Sequence, residues 1–247
     1  MKRLLYRSVF SASSTSPIRH STTEEIVDQF DKLNRAYGHG WCRRGFLEID
    51  LMRLRHIPKL ADARRVTKTV VQRTGIYSYV KRRLQTLKDR NCAIPVLWYW
   101  RGENGEEETH ATALLVYGKR KQAFFFDPAV HTEPPFTDWV VGSNLLELGN
   151  LKMHAMNVDV QGVLEEDGGV YSGICSALCL LFAVCLWKRS GFPRAKPTLR
   201  LLHQTLIRLP LSKSLIRKHL LEWQCTISSS RFPSSELFCC LGTRILL

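Results

Sequence analysis

The 247-residue sequence predicts an α+β fold: a small antiparallel sheet and one central helix, with basic helices on both flanks. Three observations lead there. Short β-branched and aromatic runs between residues 94 and 126 are separated by glycines and charged turns, as strands are. The run from Ser176 to Trp187 is apolar, largely unbranched and too long for a strand, as a buried helix is. On either side the chain becomes amphipathic and rich in Lys and Arg.

Taken in order, residues 1–22 read as a basic flexible tail. Lys2, Arg3, Arg7 and Arg19 stand there among many Ser and Thr with no acid, which is also the composition of an organelle transit peptide. Residues 23–90 read as a basic helical region. Ile26, Phe30, Leu33 and Tyr37 fall at helical spacing until Gly38 and Gly40 stop the run. Between Lys59 and Lys88 one side can be lined by Val66, Val70, Tyr77, Val80, Leu84 and Leu87, which reads as one or two basic amphipathic helices with Gly75 as the point of division. Residues 91–190 form the expected core. It has a strand at Ile94–Trp100, a turn over Arg101–Glu108, and a hairpin of His110–Tyr117 with Lys121–Phe126. A third strand near Met153–Val160 and the apolar helix complete it. Residues 191–247 read as a basic helical extension, with helices at Leu199–Leu209 and Ser212–Trp223 split by Pro210.

The formal net charge of +14 is unevenly spread. Residues 43–90 carry 14 Lys or Arg against 4 acids and residues 188–247 carry 11 against 2, whereas residues 91–187 carry 5 against 12. The basic ends suit a polyanion or an acidic partner, and equally they suit solvated helix faces. Eight cysteines without ribbon spacing or secreted-scaffold density point to a reducing, intracellular compartment. The longest nearly unbroken apolar stretch, Ile174–Trp187, has 14 residues, short of the roughly 18–20 a membrane-spanning helix needs, so no membrane span is expected. His131, His154 and Cys179 form no metal-ligand spacing, which argues against zinc.

The chemistry concentrates on the hairpin and the helix start. A turn centred near Gly118 and Lys119 makes paired residue numbers sum to 237 or 238, which sets His110 opposite Asp127 or Pro128. A carboxylate there can accept from one imidazole nitrogen and fix the tautomer, leaving the other for a base role. In Tyr171-Ser-Gly-Ile-Cys175, Gly173 permits a tight turn and the apolar run begins at the cysteine. Cys175 is thereby expected at a helix N-terminus, where unpaired amides and the helix dipole stabilise a thiolate. The same amides can bind a developing oxyanion, and Gln161 is the nearest upstream side-chain donor. Cys179 and Cys185 lie inside the apolar run and read as core.

The segments His110-Ala-Thr-Ala-Leu-Leu-Val, Phe125-Phe126-Asp127-Pro128 and Gly173-Ile-Cys175-Ser-Ala-Leu resemble the adenovirus-protease and ubiquitin-like-protein-protease superfamily, most of all its divergent members in large DNA viruses. The resemblance covers residues 94–187. It implies a papain-like fold in which His110 is the base, Asp127 the orienting acid, Gln161 the oxyanion donor and Cys175 the nucleophile of a cysteine protease acting on a protein substrate without a cofactor. Two features differ from the better-known branches: Gln161 stands 14 residues before Cys175, and Ala111 rather than an aromatic residue follows the histidine. Two other functions use the same sequence. One is an acetyltransferase on the same scaffold, with the basic flank holding coenzyme A phosphates. The other is a non-enzymatic protein whose basic flanks associate non-specifically with DNA or RNA.

Overall fold

In the computed structural model the described residues are 21–37, 46–50, 75–87, 89–101, 107–129, 150–164, 174–188, 195–208 and 212–229. The first helix, α1 (Thr23–Tyr37), begins with a reciprocal cap. The Glu25 N–H donates to Thr22 Oγ1 at 3.3 Å, and the Thr22 N–H donates to Glu25 Oε2 at 2.8 Å, so two end amides are satisfied by side chains. Its Ile26, Val27, Phe30 and Leu33 are buried. The turns at Gly38, Gly40 and Gly173 and the expected helix over 59–74 lie outside the described residues.

The strands are β1 (Leu47–Asp50), β2 (Asn91–Arg101), β3 (Glu107–Tyr117), β4 (Gln122–Asp127) and β5 (Lys152–Asn157), in the spatial order β1-β2-β3-β4-β5. The sheet is mixed, which corrects the expected antiparallel one. β2, β3 and β4 are antiparallel, but β1 pairs parallel with β2 and β5 parallel with β4. Parallel neighbours need long crossovers, and such pairings leave no turn signal in the sequence between them.

Alternation along the strands divides the core in two. Ala93, Leu97, Ala113, Leu115, Phe124 and Phe126 belong to one buried cluster, while Cys92, Ile94, Val96, Leu114, Val116 and Phe125 belong to the other. The first cluster takes in α1, α3 (Cys175–Lys188), α4 (Ala195–Arg208) and α5 (Lys213–Ser229). The second takes in Val80, Leu84 and Leu87 of α2 (Gly75–Leu87). Helices thus cover both faces, so strands β2 to β4 read as nearly continuous apolar runs. No polar stripe interrupts the middle of α3, where every residue from Ala177 to Leu186 is buried between the sheet and its helical neighbours.

Asn34 of α1 completes the sheet where β1 does not reach. Its Nδ2 donates to Ala93 O at 2.7 Å and its Oδ1 accepts from Ala93 N at 2.8 Å, while β1 pairs only with Val96 to Tyr99. Pro95, which has no N–H to offer, falls between these two stretches. Among the described residues no helix is long and apolar enough to cross a membrane.

Candidate active site

The β3–β4 hairpin turns through Gly118–Arg120 and Lys121, which adopts a left-handed φ of 52°. This four-residue turn sets the register at Tyr117↔Gln122 through Ala113↔Phe126. Paired numbers therefore sum to 239, not 237 or 238, and Asp127 is a diagonal rather than a direct neighbour of His110. The two still meet: His110 Nε2 and Asp127 Oδ1 are 2.9 Å apart, both side chains buried. The same carboxylate oxygen accepts the Ala129 N–H at 3.0 Å, which fixes its rotamer.

Cys175 is the first residue of α3, as the apolar run implies. The Ile174 carbonyl accepts from Leu178 N at 2.9 Å, so the helix starts at the cysteine and its first-turn amides have no partner within the helix. The ladder between β3 and β4 ends at Ala113, and β3 continues past it, so the peptide groups of Ala111 face the start of α3. Cys179 Sγ donates to Ala111 O at 3.5 Å, and the Ala111 amide lies against the Cys175 sulfur.

Electrostatics couples the two reactive side chains. Burial alone would push His110 down, but the Asp127 carboxylate and the hydrogen-bonded Cys175 sulfur outweigh it, and the imidazolium is held up to about 10. Burial pushes the Cys175 thiol up. Its hydrogen bond to His110, the imidazolium charge, and the backbone amides of Ala111 and Ser176 outweigh that, and the thiol is pulled below its ordinary value. The Asp127 carboxylate takes Nε2, and that bond orients the ring. Cys179, one turn further, is pushed well up by burial and by the neighbouring negative groups.

His110, Gln161 and partly exposed Cys175 line one cavity of about 230 Å³, with Thr23, Tyr99 and Ser176 among its other walls. Gln161 is held beside the end of β4 because the Val160 and Gln161 amides both donate to Pro128 O, at 3.1 and 2.7 Å. The Gly162 amide donates to Asp159 Oδ1 at 2.8 Å, closing the turn, and a Cβ at Gly162 would collide with that carboxylate. All four residues singled out from the sequence are therefore brought together. Sequence reasoning missed Thr23, whose Oγ1 is 2.7 Å from the Tyr99 hydroxyl, and Ser176, because isolated hydroxyls on helix ends carry no distinguishing pattern. Among the described residues no group of three or more His, Cys, Asp or Glu is placed to hold a metal ion.

Searched against known proteins, the chain matches no family model, and no curated protein matches it significantly.

Proposed function

We propose that the protein is a papain-like thiol hydrolase, a cysteine protease that cleaves peptide or isopeptide bonds in a protein substrate. The observation that carries this is a helix-starting thiol on the wall of the same cavity as an imidazole that is bonded to a buried carboxylate. The Cys175 thiolate attacks the scissile carbonyl carbon, and its electron pair forms the S–C bond as the C=O π pair moves to oxygen. The His110 imidazolium then protonates the leaving nitrogen as the C–N bond breaks. Neutral His110 next takes a proton from water, whose oxygen attacks the thioester; as the carbonyl re-forms, the C–S bond breaks with its electron pair on sulfur, restoring the thiolate beside the imidazolium. Helix-start amides and Gln161 are the donors for the transient oxyanion.

Among the described residues no Lys or Arg lines the cavity, which favours a peptide carbonyl over the phosphate-bearing thioester that an acetyltransferase would use. The experiment is a burst assay with p-nitrophenyl acetate. Wild type should release one equivalent of nitrophenol rapidly, carry the acetyl group on Cys175 by mass spectrometry, and then turn over. A burst of equal size in Cys175→Ala, or none in wild type, would overturn the proposal. Acylation by acetyl-coenzyme A with no thioester hydrolysis would move the assignment to a transferase.

A further inference from the structure

A buried polar cluster reaches the cavity wall at Ser21 and Ser176, and its side chains take no part in the hydrolytic steps. Gln224 of α5 donates through Nε2 to Ser176 Oγ at 2.8 Å and to Gln29 Oε1 at 2.9 Å. Gln29 of α1 donates through Nε2 to the Gln224 carbonyl at 3.2 Å and to Ser21 Oγ at 3.3 Å. Gln29, Gln224 and Ser176 are 0%, 1% and 3% exposed. Two amides buried between helices cost desolvation that a pair of leucines would avoid, so their placement is tied to what they hold. They converge on Ser176, the residue after the nucleophile and the second residue of α3.

Amides in a first helical turn have no partner within the helix, so their direction depends on what anchors the turn from outside. The hydroxyl of Ser176 is the anchor at this turn, and its N–H is one of those that stabilise the Cys175 thiolate. We propose that Gln224 is a positioning residue for the nucleophile: by holding Ser176 Oγ it fixes the first turn of α3 and aims the Ser176 amide at the Cys175 sulfur. Gln29 sets the rotamer of Gln224 from the opposite side. The residue thus couples α5, from the basic C-terminal region, to the reactive sulfur 49 positions upstream. This inference rests on the thiol hydrolase reading.

The test is the alkylation rate of Cys175 by iodoacetamide as a function of pH, resolved by peptide mass spectrometry on the full chain. It is run for wild type, Gln224→Leu, Ser176→Ala, their double variant and His110→Ala, with thermal unfolding alongside. Gln224→Leu and Ser176→Ala should each move the thiol midpoint upward by about half to one pH unit, slowing alkylation below the midpoint roughly three- to tenfold. The double variant should move no further than Gln224→Leu alone, because both changes break one link. If either variant lowers the melting temperature while its pH curve overlays wild type, the amide is structural only and the proposal is overturned. Should Gln224→Leu not fold, Ser176→Ala removes a single oxygen and decides the matter in the same way. His110→Ala separates the two levels. A shift there with none in Gln224→Leu or Ser176→Ala sinks the positioning role alone, whereas an unshifted His110→Ala curve sinks the thiol hydrolase reading.

Discussion

His110 Nε2 lies 2.9 Å from Asp127 Oδ1 across a hairpin whose register, continued, would set Ala129 rather than Asp127 opposite the histidine. The pair is diagonal, and the Ala129 amide on the same oxygen keeps the carboxylate pointed along that diagonal. Asp127→Asn preserves the shape but removes the charge that supports the imidazolium. Turnover in this variant should fall about 10²- to 10⁴-fold with the fold retained. Steady-state kinetics and circular dichroism check both halves, and turnover within about threefold of wild type would show that the carboxylate does not act through the histidine.

The pH dependence follows from the two shifts. His110 is raised, so the stability contributed by its charged form is fully present below the ordinary histidine value of 6.5 and is lost as pH rises through about 10. Cys175 is lowered, so its contribution is present above the ordinary thiol value of 9.0 and is lost as pH falls through the depressed value. Imidazolium and thiolate therefore coexist between the depressed thiol value and about 10. The profile of kcat/KM should be a bell whose alkaline limb lies near the upper bound, and Asp127→Asn should draw that limb to lower pH. An alkaline limb that does not move in this variant would contradict the coupling.

Legibility in the sequence follows the range of the interactions. The hairpin and the start of α3 are set by local pattern, and both are readable to within a few residues: β3 and β4 span Glu107–Tyr117 and Gln122–Asp127, and α3 spans Cys175–Lys188. The register differs from the expected one because of a single residue. Lys121 holds a left-handed φ that is usually given to glycine or asparagine, so the residue pattern implies a shorter turn than the one that forms. β1 is invisible in the sequence because it has four residues and pairs with a strand more than forty positions later. Gln29 and Gln224 give no signal either, since a polar residue on an amphipathic helix is indistinguishable in sequence from one facing water until the partner helix is known.

The cysteines among the described residues should label in a definite order. Cys175 is partly exposed with a lowered thiol value, Cys225 is exposed, and Cys92, Cys179 and Cys185 are buried, Cys179 with its thiol pushed well up. Brief treatment with iodoacetamide at about pH 6 should therefore modify Cys175 first and Cys225 slowly, and leave Cys92, Cys179 and Cys185 unmodified until the protein is denatured. Peptide mapping reads the order directly. Labelling of Cys179 at the rate of Cys175 would mean that the start of α3 is open in solution.

Asn34 is the strongest single test of the fold. It supplies both the donor and the acceptor to the buried peptide groups of Ala93, in a stretch of β2 that β1 does not cover. Asn34→Ala leaves both groups without their partner, at about 1–3 kcal/mol each. Denaturant unfolding should show a loss of at least about 2 kcal/mol, with Asn34→Asp, which keeps only the acceptor, also destabilised. A loss below about 0.5 kcal/mol in Asn34→Ala would mean that water replaces the side chain without cost.

In the proposed mechanism Gln161 can be separated from the thiol chemistry, because there the two act on different charges. Alkylation by iodoacetamide displaces iodide at a saturated carbon and develops no oxyanion, whereas amide or ester hydrolysis passes through a tetrahedral oxyanion. A side chain that only stabilises the oxyanion is therefore silent in the first reaction and costly to lose in the second. Gln161→Ala should leave the rate and pH midpoint of Cys175 alkylation unchanged while lowering turnover about 10²- to 10³-fold, chiefly in kcat. Gly162→Ala should do the same more weakly. Its new Cβ meets the Asp159 carboxylate and disturbs the turn that, with the Pro128 carbonyl, holds Gln161 against the cavity. If Gln161→Ala slows alkylation as much as turnover, the glutamine supports the thiolate instead. If it changes neither, the oxyanion is held by the amides at the start of α3 alone.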